Sequence, residues 1–244
     1  MTSLRVYFMM GLPDGTTGLV PVAREVPKTV AVGAAAMRAL IAGPTAAEAT
    51  ASPAPFSLLP AGTRFIGLTI NAAVATVDLS GEFAGGGGTA SVYGRLAQVV
   101  YTLTQFPTVS SVRFLLDGVA VTTFSSEGVL LDKPLKRTDF RNELPAIFVD
   151  QPAWGGHAGN PVTILGYANV FEAQFTAQIR DGAGTVLSAR TITATCGTGC
   201  WGTFLAKLAY TVAAAQWGTL RVYDASAKDG TPENERVYPI WLTP

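Results

Sequence analysis

Residues 74–116, VATVDLSGEFAGGGGTASVYGRLAQVVYTLTQFPTVSSVRFLL, change hydrophobic period twice, and that change decides the first half of the fold. Ala75, Val77 and Leu79 alternate with polar residues, the period of a strand with one buried face. From Ala90 to Gln105 the period lengthens: Val92, Leu96, Val99, Val100, Leu103 and then Phe106 recur every three or four residues, predicting a helix that Pro107 ends. Val112, Phe114 and Leu116 return to alternation and stop at the turn Asp117-Gly118. Working upstream, Ile66, Leu68 and Ile70 give a strand that turns at Asn71-Ala72-Ala73. Val30–Ala42 reads as a second helix with Thr29 as N-cap, an apolar face of Ala36, Met37, Leu40 and Ile41, and a stop at Gly43-Pro44. Thr45-Ala46-Ala47-Glu48 has capping-box spacing and predicts a short helical turn. Leu4–Met10 and Leu19–Val26 add two early strands. Strands and helices interleaved in this way predict an α/β (α+β) domain over residues 1–131, a sheet with helices on one face.

The pattern changes near residue 140. Residues 132–145, DKPLKRTDFRNELP, concentrate charge and hold two prolines, the composition of a linker. Beyond it no strong helical period appears. Short strands are expected at Ile147–Val149, Val162–Ala168, Ala173–Arg180, Thr185–Ala194, Leu205–Val212, Thr219–Tyr223 and Arg236–Leu242, with turns at Asp181-Gly182-Ala183-Gly184 and Lys228-Asp229-Gly230. The Ala-rich run Phe204–Gln216 is compatible with a helix, but Thr211, Val212 and its place between strands favour strand or irregular structure. Residues 146–244 therefore read as an all-β, immunoglobulin-like sandwich.

Composition narrows the function classes. Hydrophobic residues make up 48% of the 244-residue chain and charged residues 14%, which excludes disorder as the main state. Seventeen basic and seventeen acidic residues cancel, and no block of like charge forms the footprint of a nucleic-acid or anionic-lipid ligand. The apolar run Val30–Ala42 is broken by Arg38 and is too short to span a bilayer. Leu4–Met10 lacks the basic leader and cleavage site of a signal peptide.

Few residues are placed to do chemistry. His157, the single histidine, lies in the Gly-rich stretch Trp154–Asn160, and no nucleophile elbow accompanies it, so it reads as an exposed loop histidine. Cys196-Gly197-Thr198-Gly199-Cys200 has neither redox C-x-x-C spacing nor enough partners for zinc; a structural disulfide pinning a loop between strands fits best, with two free buried thiols as the alternative. Such a disulfide places the protein outside the cytosol. Gly85-Gly86-Gly87-Gly88 enters a helix without a Walker lysine or Rossmann spacing, and Thr89 or Ser91 is expected to cap that helix. Asp78 with Glu82, and the group Asp224, Asp229, Glu233 and Glu235, are the carboxylates close enough in sequence to consider as acid–base pairs or calcium ligands; both sets read as solvated loop acids. No catalytic residue, cofactor or metal site is expected. Trp154, Trp201 and Trp217 are the candidate partner contacts, whereas Trp241, in a strand-like run, is expected in the core.

Leu19-Val20-Pro21-Val22-x-Arg24, Leu40-Ile41-Ala42-Gly43-Pro44-Thr45, Leu59-Pro60-Ala61-Gly62-Thr63, Ala75-Thr76-Val77-Asp78-Leu79-Ser80-x-Glu82-Phe83 and Gln98-to-Pro107 resemble, in order and spacing, the GerMN domain of bacterial sporulation and germination proteins over about residues 4–120. Gly166-x-Ala168-x-Val170-Phe171-Glu172-Ala173-x-Phe175, Asp181-Gly182-x-Gly184, Gly202-x-Phe204, Ala225–Gly230 and Tyr238-Pro239-Ile240 resemble the immunoglobulin-like domain of bacterial spore germination. The resemblance implies an exported, often lipid-anchored, cell-envelope protein without catalytic residues, whose signal or anchor segment would lie upstream of Met1. The expected function is a non-enzymatic binding or scaffolding module for an envelope protein or a cell-wall polymer. The alternatives are a wall hydrolase working through Asp78 and Glu82, and a self-assembling subunit.

Overall fold

The computed structural model describes residues 1–244. The chain forms two compact units, residues 1–10 with 24–143 and residues 11–23 with 144–244. The tip of the first hairpin, Gly11–Ala23, is thus grouped with the second unit. Nothing in its local sequence distinguishes it from the rest of a two-strand hairpin.

Strands β1 (Thr2–Gly11) and β2 (Thr17–Val26) are followed by helices α1 (Val32–Ala42) and α2 (Ala46–Ala49) and by β3 (Pro55–Phe56), which adds to β1 in a sheet of order β2-β1-β3. Helix α1 starts two residues later than the sequence suggests. Its N-cap is Ala31, and the Thr29 hydroxyl accepts from the Ala31 N–H two residues too early to cap the helix. The α2 capping box forms as read, Thr45 accepting from the Glu48 N–H and the Glu48 carboxylate from the Thr45 N–H.

Strands β4 (Phe65–Asn71) and β5 (Val74–Leu79) form a hairpin, helix α3 (Thr89–Leu103) crosses over, and β6 (Ser111–Leu116) returns parallel to β5; β7 (Val119–Ala120) completes the order β4-β5-β6-β7. This is the strand–helix–strand unit that residues 74–116 announce. Ala75, Val77, Leu79, Val112 and Phe114 are buried, as alternation requires. Ile66 and Ile70 are about half exposed (50% and 47%), because β4 is an edge strand with a neighbour on one side only. Helix α3 is buried beyond its apolar stripe: Gln98 donates to the Tyr7 carbonyl and accepts from the Leu58 N–H, and Thr102 accepts from the Tyr7 N–H. These bonds satisfy polar groups that burial would otherwise strand. After the short ladder β8 (Thr123–Phe124) and β9 (Val129–Leu130), the stretch read as a linker holds a 3-10 segment, Arg137–Glu143. Its Phe140 is buried and its Arg137 donates to Thr104 and Tyr7 of the same unit.

The second unit is a two-sheet sandwich. One sheet has order β10-β12-β15 and the other β11-β17-β16-β13-β14, with β10 Ile147–Gln151, β11 Gly156–Ala158, β12 Val162–Ala168, β13 Gln174–Arg180, β14 Val186–Thr193, β15 Gly202–Leu208, β16 Gln216–Ala225 and β17 Pro232–Leu242. Burial alternates strictly along β12, β13, β15 and β16, and Phe175 meets Phe204 at 4.8 Å between sheets. Phe204–Gln216 is strand and then irregular. The Gly-rich stretch that the sequence suggests is loop holds strand β11 instead: His157 stands on three residues paired in parallel with β17.

Candidate functional site

The period of two that buries Leu220, Val222 and Asp224 of β16 turns Trp217, Thr219, Arg221 and Tyr223 to the outer face of the five-stranded sheet. Register then decides their neighbours. Trp217 pairs with Trp241 on β17, and Trp241 pairs with His157 on β11, so three rings form a row across three strands. The two indoles meet edge to face at 5.3 Å, and His157 meets Trp241 at 6.4 Å in the same manner. Trp217 is 52% exposed, His157 is exposed and Trp241 is half-buried. Trp241 is therefore not a core residue: its strand alternates, and it falls on the outward register.

Beside this row lies a polar network on the same face. The Arg221 guanidinium donates to both oxygens of Glu235, at 2.8 and 2.6 Å, and stacks 4.3 Å over the Tyr223 ring. The bidentate pair raises the pKa of Arg221 and holds Glu235 below the ordinary glutamate range. Arg180 donates through Nε and Nη2 to Gln178 Oε1, and Gln178 in turn donates to the Tyr223 hydroxyl. The face presents two guanidiniums against one carboxylate.

The other sequence candidates are not brought to this face. Trp154 is half-buried, and its backbone bonds to the hairpin tip, its N–H to Pro21 O at 2.8 Å and its carbonyl from Ala23 N–H at 2.9 Å. Trp201 is half-buried at the entry to β15, in the opposite sheet. Cys196 and Cys200 are joined in a disulfide, and their loop is held by Thr198 N–H to Val170 O and Gly199 N–H to Asn169 Oδ1.

The carboxylates act locally. Asp78 accepts from the Gly118 N–H, and Glu82 sits 3.6 Å from Arg64 with its pKa lowered first by the Ser80 hydroxyl. A glycosidase general acid needs the opposite shift. Asp229 accepts from Thr231 in its own turn, and Asp224 is buried, its pKa raised by burial while Asn234 donates to it. No three carboxylate, imidazole or thiol groups converge on a point. A cavity of about 330 Å³ opens between Leu12, Pro145 and Asn234 in the second unit, and its Asp14 is already bonded to Thr16.

The Gly-rich loop is built around a cation. Arg95 is 1% exposed and donates to the carbonyls of Phe83, Gly85 and Gly86 and to the Ser91 hydroxyl. A phosphate cradle turns N–H groups inward; this loop turns carbonyls inward. Neither Thr89 nor Ser91 caps α3: Gly88 is the N-cap, and Thr89 donates to Glu127.

Residues 5–122 match the family model described as sporulation and spore germination, and residues 146–231 match the immunoglobulin-like domain of bacterial spore germination. Among solved structures, the first GerMN domain of the sporulation protein GerM from Bacillus subtilis is 21% identical, covering 57% of this chain and 100% of that one, with a TM-score of 0.47. A chain from Clostridium perfringens provisionally described as a lipoprotein is 22% identical, covering 59% of this chain and 92% of that one, with a TM-score of 0.40. The tandem GerMN domains of GerM are 14% identical, covering 86% of this chain and 61% of that one, with a TM-score of 0.46. The search of curated proteins found no match.

Proposed function

We propose that this chain, which carries a sporulation and spore germination domain at residues 5–122 followed by an immunoglobulin-like domain of bacterial spore germination at residues 146–231, is a non-enzymatic, exported envelope module that docks onto the cell wall or a wall-associated protein. The observation that carries this reading is the outer face of the five-stranded sheet. Exposed Trp217, ordered against Trp241 and bordered by prearranged arginine, glutamine and tyrosine side chains, has the makeup of a recognition surface: aromatic anchors with satisfied polar neighbours. The disulfide between Cys196 and Cys200 supports export, since such bonds persist in oxidising compartments. The local bonding of Asp78 and Glu82 favours docking over the hydrolase alternative.

Co-sedimentation of the full chain with purified cell-wall sacculi tests the reading. Pelleting with sacculi at constant turbidity is the expected result. Loss of turbidity would restore the hydrolase. A supernatant protein that crosslinks only to itself in cells would replace docking with self-assembly.

A further inference from the structure

We propose that the outer face of the β11-β17-β16-β13-β14 sheet is a platform for the amino-sugar glycan of peptidoglycan in strands without stem peptides, where the lactyl carboxylate of the muramyl sugar is free, with Trp217 stacking on a sugar ring beside Trp241 and Arg180 receiving the carboxylate of that ring or its neighbour. This deepens the docking reading above and rests on its wall-polymer form.

The aromatic half of the platform is preorganised. An indole that is 52% exposed presents a large apolar surface to water, and burying it under a ligand is favourable. The C–H-lined face of a pyranose ring suits such a surface, because its weakly positive hydrogens meet the negative π-face. Trp217 is fixed edge to face against Trp241, and Trp241 against His157, so little side-chain freedom is lost on binding.

The polar half selects charge. Glu235 pairs with Arg221 through its Nε and Nη2, which leaves Arg180 as the guanidinium on this face with no carboxylate in bonding distance. Gln178 accepts from its Nε and Nη2 and so fixes the plane of the fork, leaving Nη1 without a partner. The face thus has one surplus positive charge, complementary to an anionic ligand. Arg180 pairs with Thr219, two residues along β16 from Trp217, which places the cation about 7 Å along the strand from the stacking ring. A single surplus charge is too little for a nucleic acid, whose binding scales with the number of neutralised phosphates. It suits a polymer that offers one carboxylate for each aromatic-facing sugar.

The test uses the full chain and follows tryptophan fluorescence. The probes are soluble muramyl-containing glycan oligomers without stem peptides, the same oligomers with their carboxylates reduced to alcohols, and neutral N-acetylglucosamine oligomers. Trp217→Ala is expected to weaken binding of the muramyl glycan about tenfold, the effect of losing an aromatic anchor. Arg180→Gln is expected to weaken it up to about fivefold, while binding the reduced glycan as the wild type does. Both are surface changes, and a cooperative thermal melt confirms that each variant folds. Undiminished binding by Trp217→Ala would overturn the platform. An equal loss in Arg180→Gln for carboxylated and reduced glycans would overturn the charge assignment. A wild type that pellets with sacculi but binds none of the oligomers would overturn the glycan while leaving wall docking intact. A wild type that does neither would remove both.

Discussion

Arg95 and Arg180 are both guanidiniums without a carboxylate in bonding distance, and the two units use them in opposite ways. Arg95 is 1% exposed and directs its donors inward to three carbonyls, so the Gly-rich loop takes its shape from the cation. Arg180 sits on an outer sheet face, held by one glutamine and two residues in register from the exposed Trp217. The first is a folding device and the second a surface kept for a partner. A polar cluster is informative about function when its side chains are oriented by neighbours and yet still reach solvent. A cluster whose bonds are made to carbonyls inside the fold, as those of both Arg95 Nη atoms are, is informative about stability.

The largest effect that would break this comparison lies at Arg95. Arg95→Met should lower the stability of the first unit by about 3 kcal/mol in urea unfolding, because it strands buried carbonyls that bond to a charge. A change under about 0.5 kcal/mol would show that the loop does not depend on the cation. Trp217→Ala, by contrast, should cost no more than about 1.5 kcal/mol, the loss of one edge-to-face ring contact at a half-exposed position.

Next in size is the disulfide. Replacing Cys196 and Cys200 by Ser should cost about 2 kcal/mol, the entropy of a five-residue ring. Thiol labelling of denatured, unreduced protein should find no reactive cysteine. Two labelled thiols in oxidised material would return the pair to the free state.

Smaller effects sharpen the picture. Ala72 and Ala73 close the β4–β5 hairpin at φ 47° and 61°, a left-handed geometry that costs a side-chain-bearing residue about 1–2 kcal/mol. Ala73→Gly should raise stability by about 0.5 kcal/mol, the entropy of glycine offsetting part of that relief. Glu235 is held low mainly by its bonds to Arg221, so the folded state binds a proton there less tightly than the unfolded chain. Its contribution is complete above the ordinary glutamate value of about 4.3 and is lost as pH falls through the lower, folded value. Glu235→Gln should therefore cost under about 1 kcal/mol at neutral pH, and the difference from wild type should vanish in acid. A cost that persists at low pH would assign it to packing.

The strand–helix–strand unit, the α2 capping box and most sandwich strands were legible because each is encoded by period or by adjacent residues. What escaped the sequence is non-local. Strand β11 pairs in parallel with β17 more than eighty residues away, and no local period marks three residues inside a Gly-rich stretch. Trp241 was assigned to the core because strand character alone does not tell which of two faces an alternating residue takes; register against Trp217 decides it. Trp217 is legible as a candidate contact and His157 as exposed, whereas their alignment in one row through Trp241 is not, because it depends on register across three strands. The inward role of Arg95 was hidden because a helix period that includes Val92, Leu96 and Val99 gives no sign that the charged residue among them is buried as well.

The most direct test of the central claim is oxidative footprinting of the four indoles in the full chain, with and without purified sacculi. Trp217, and to a smaller extent Trp241, should lose reactivity when sacculi are present, while Trp154 and Trp201 keep theirs. Unchanged reactivity at Trp217 in protein that has pelleted with the wall, or protection at Trp201 alone, would contradict it.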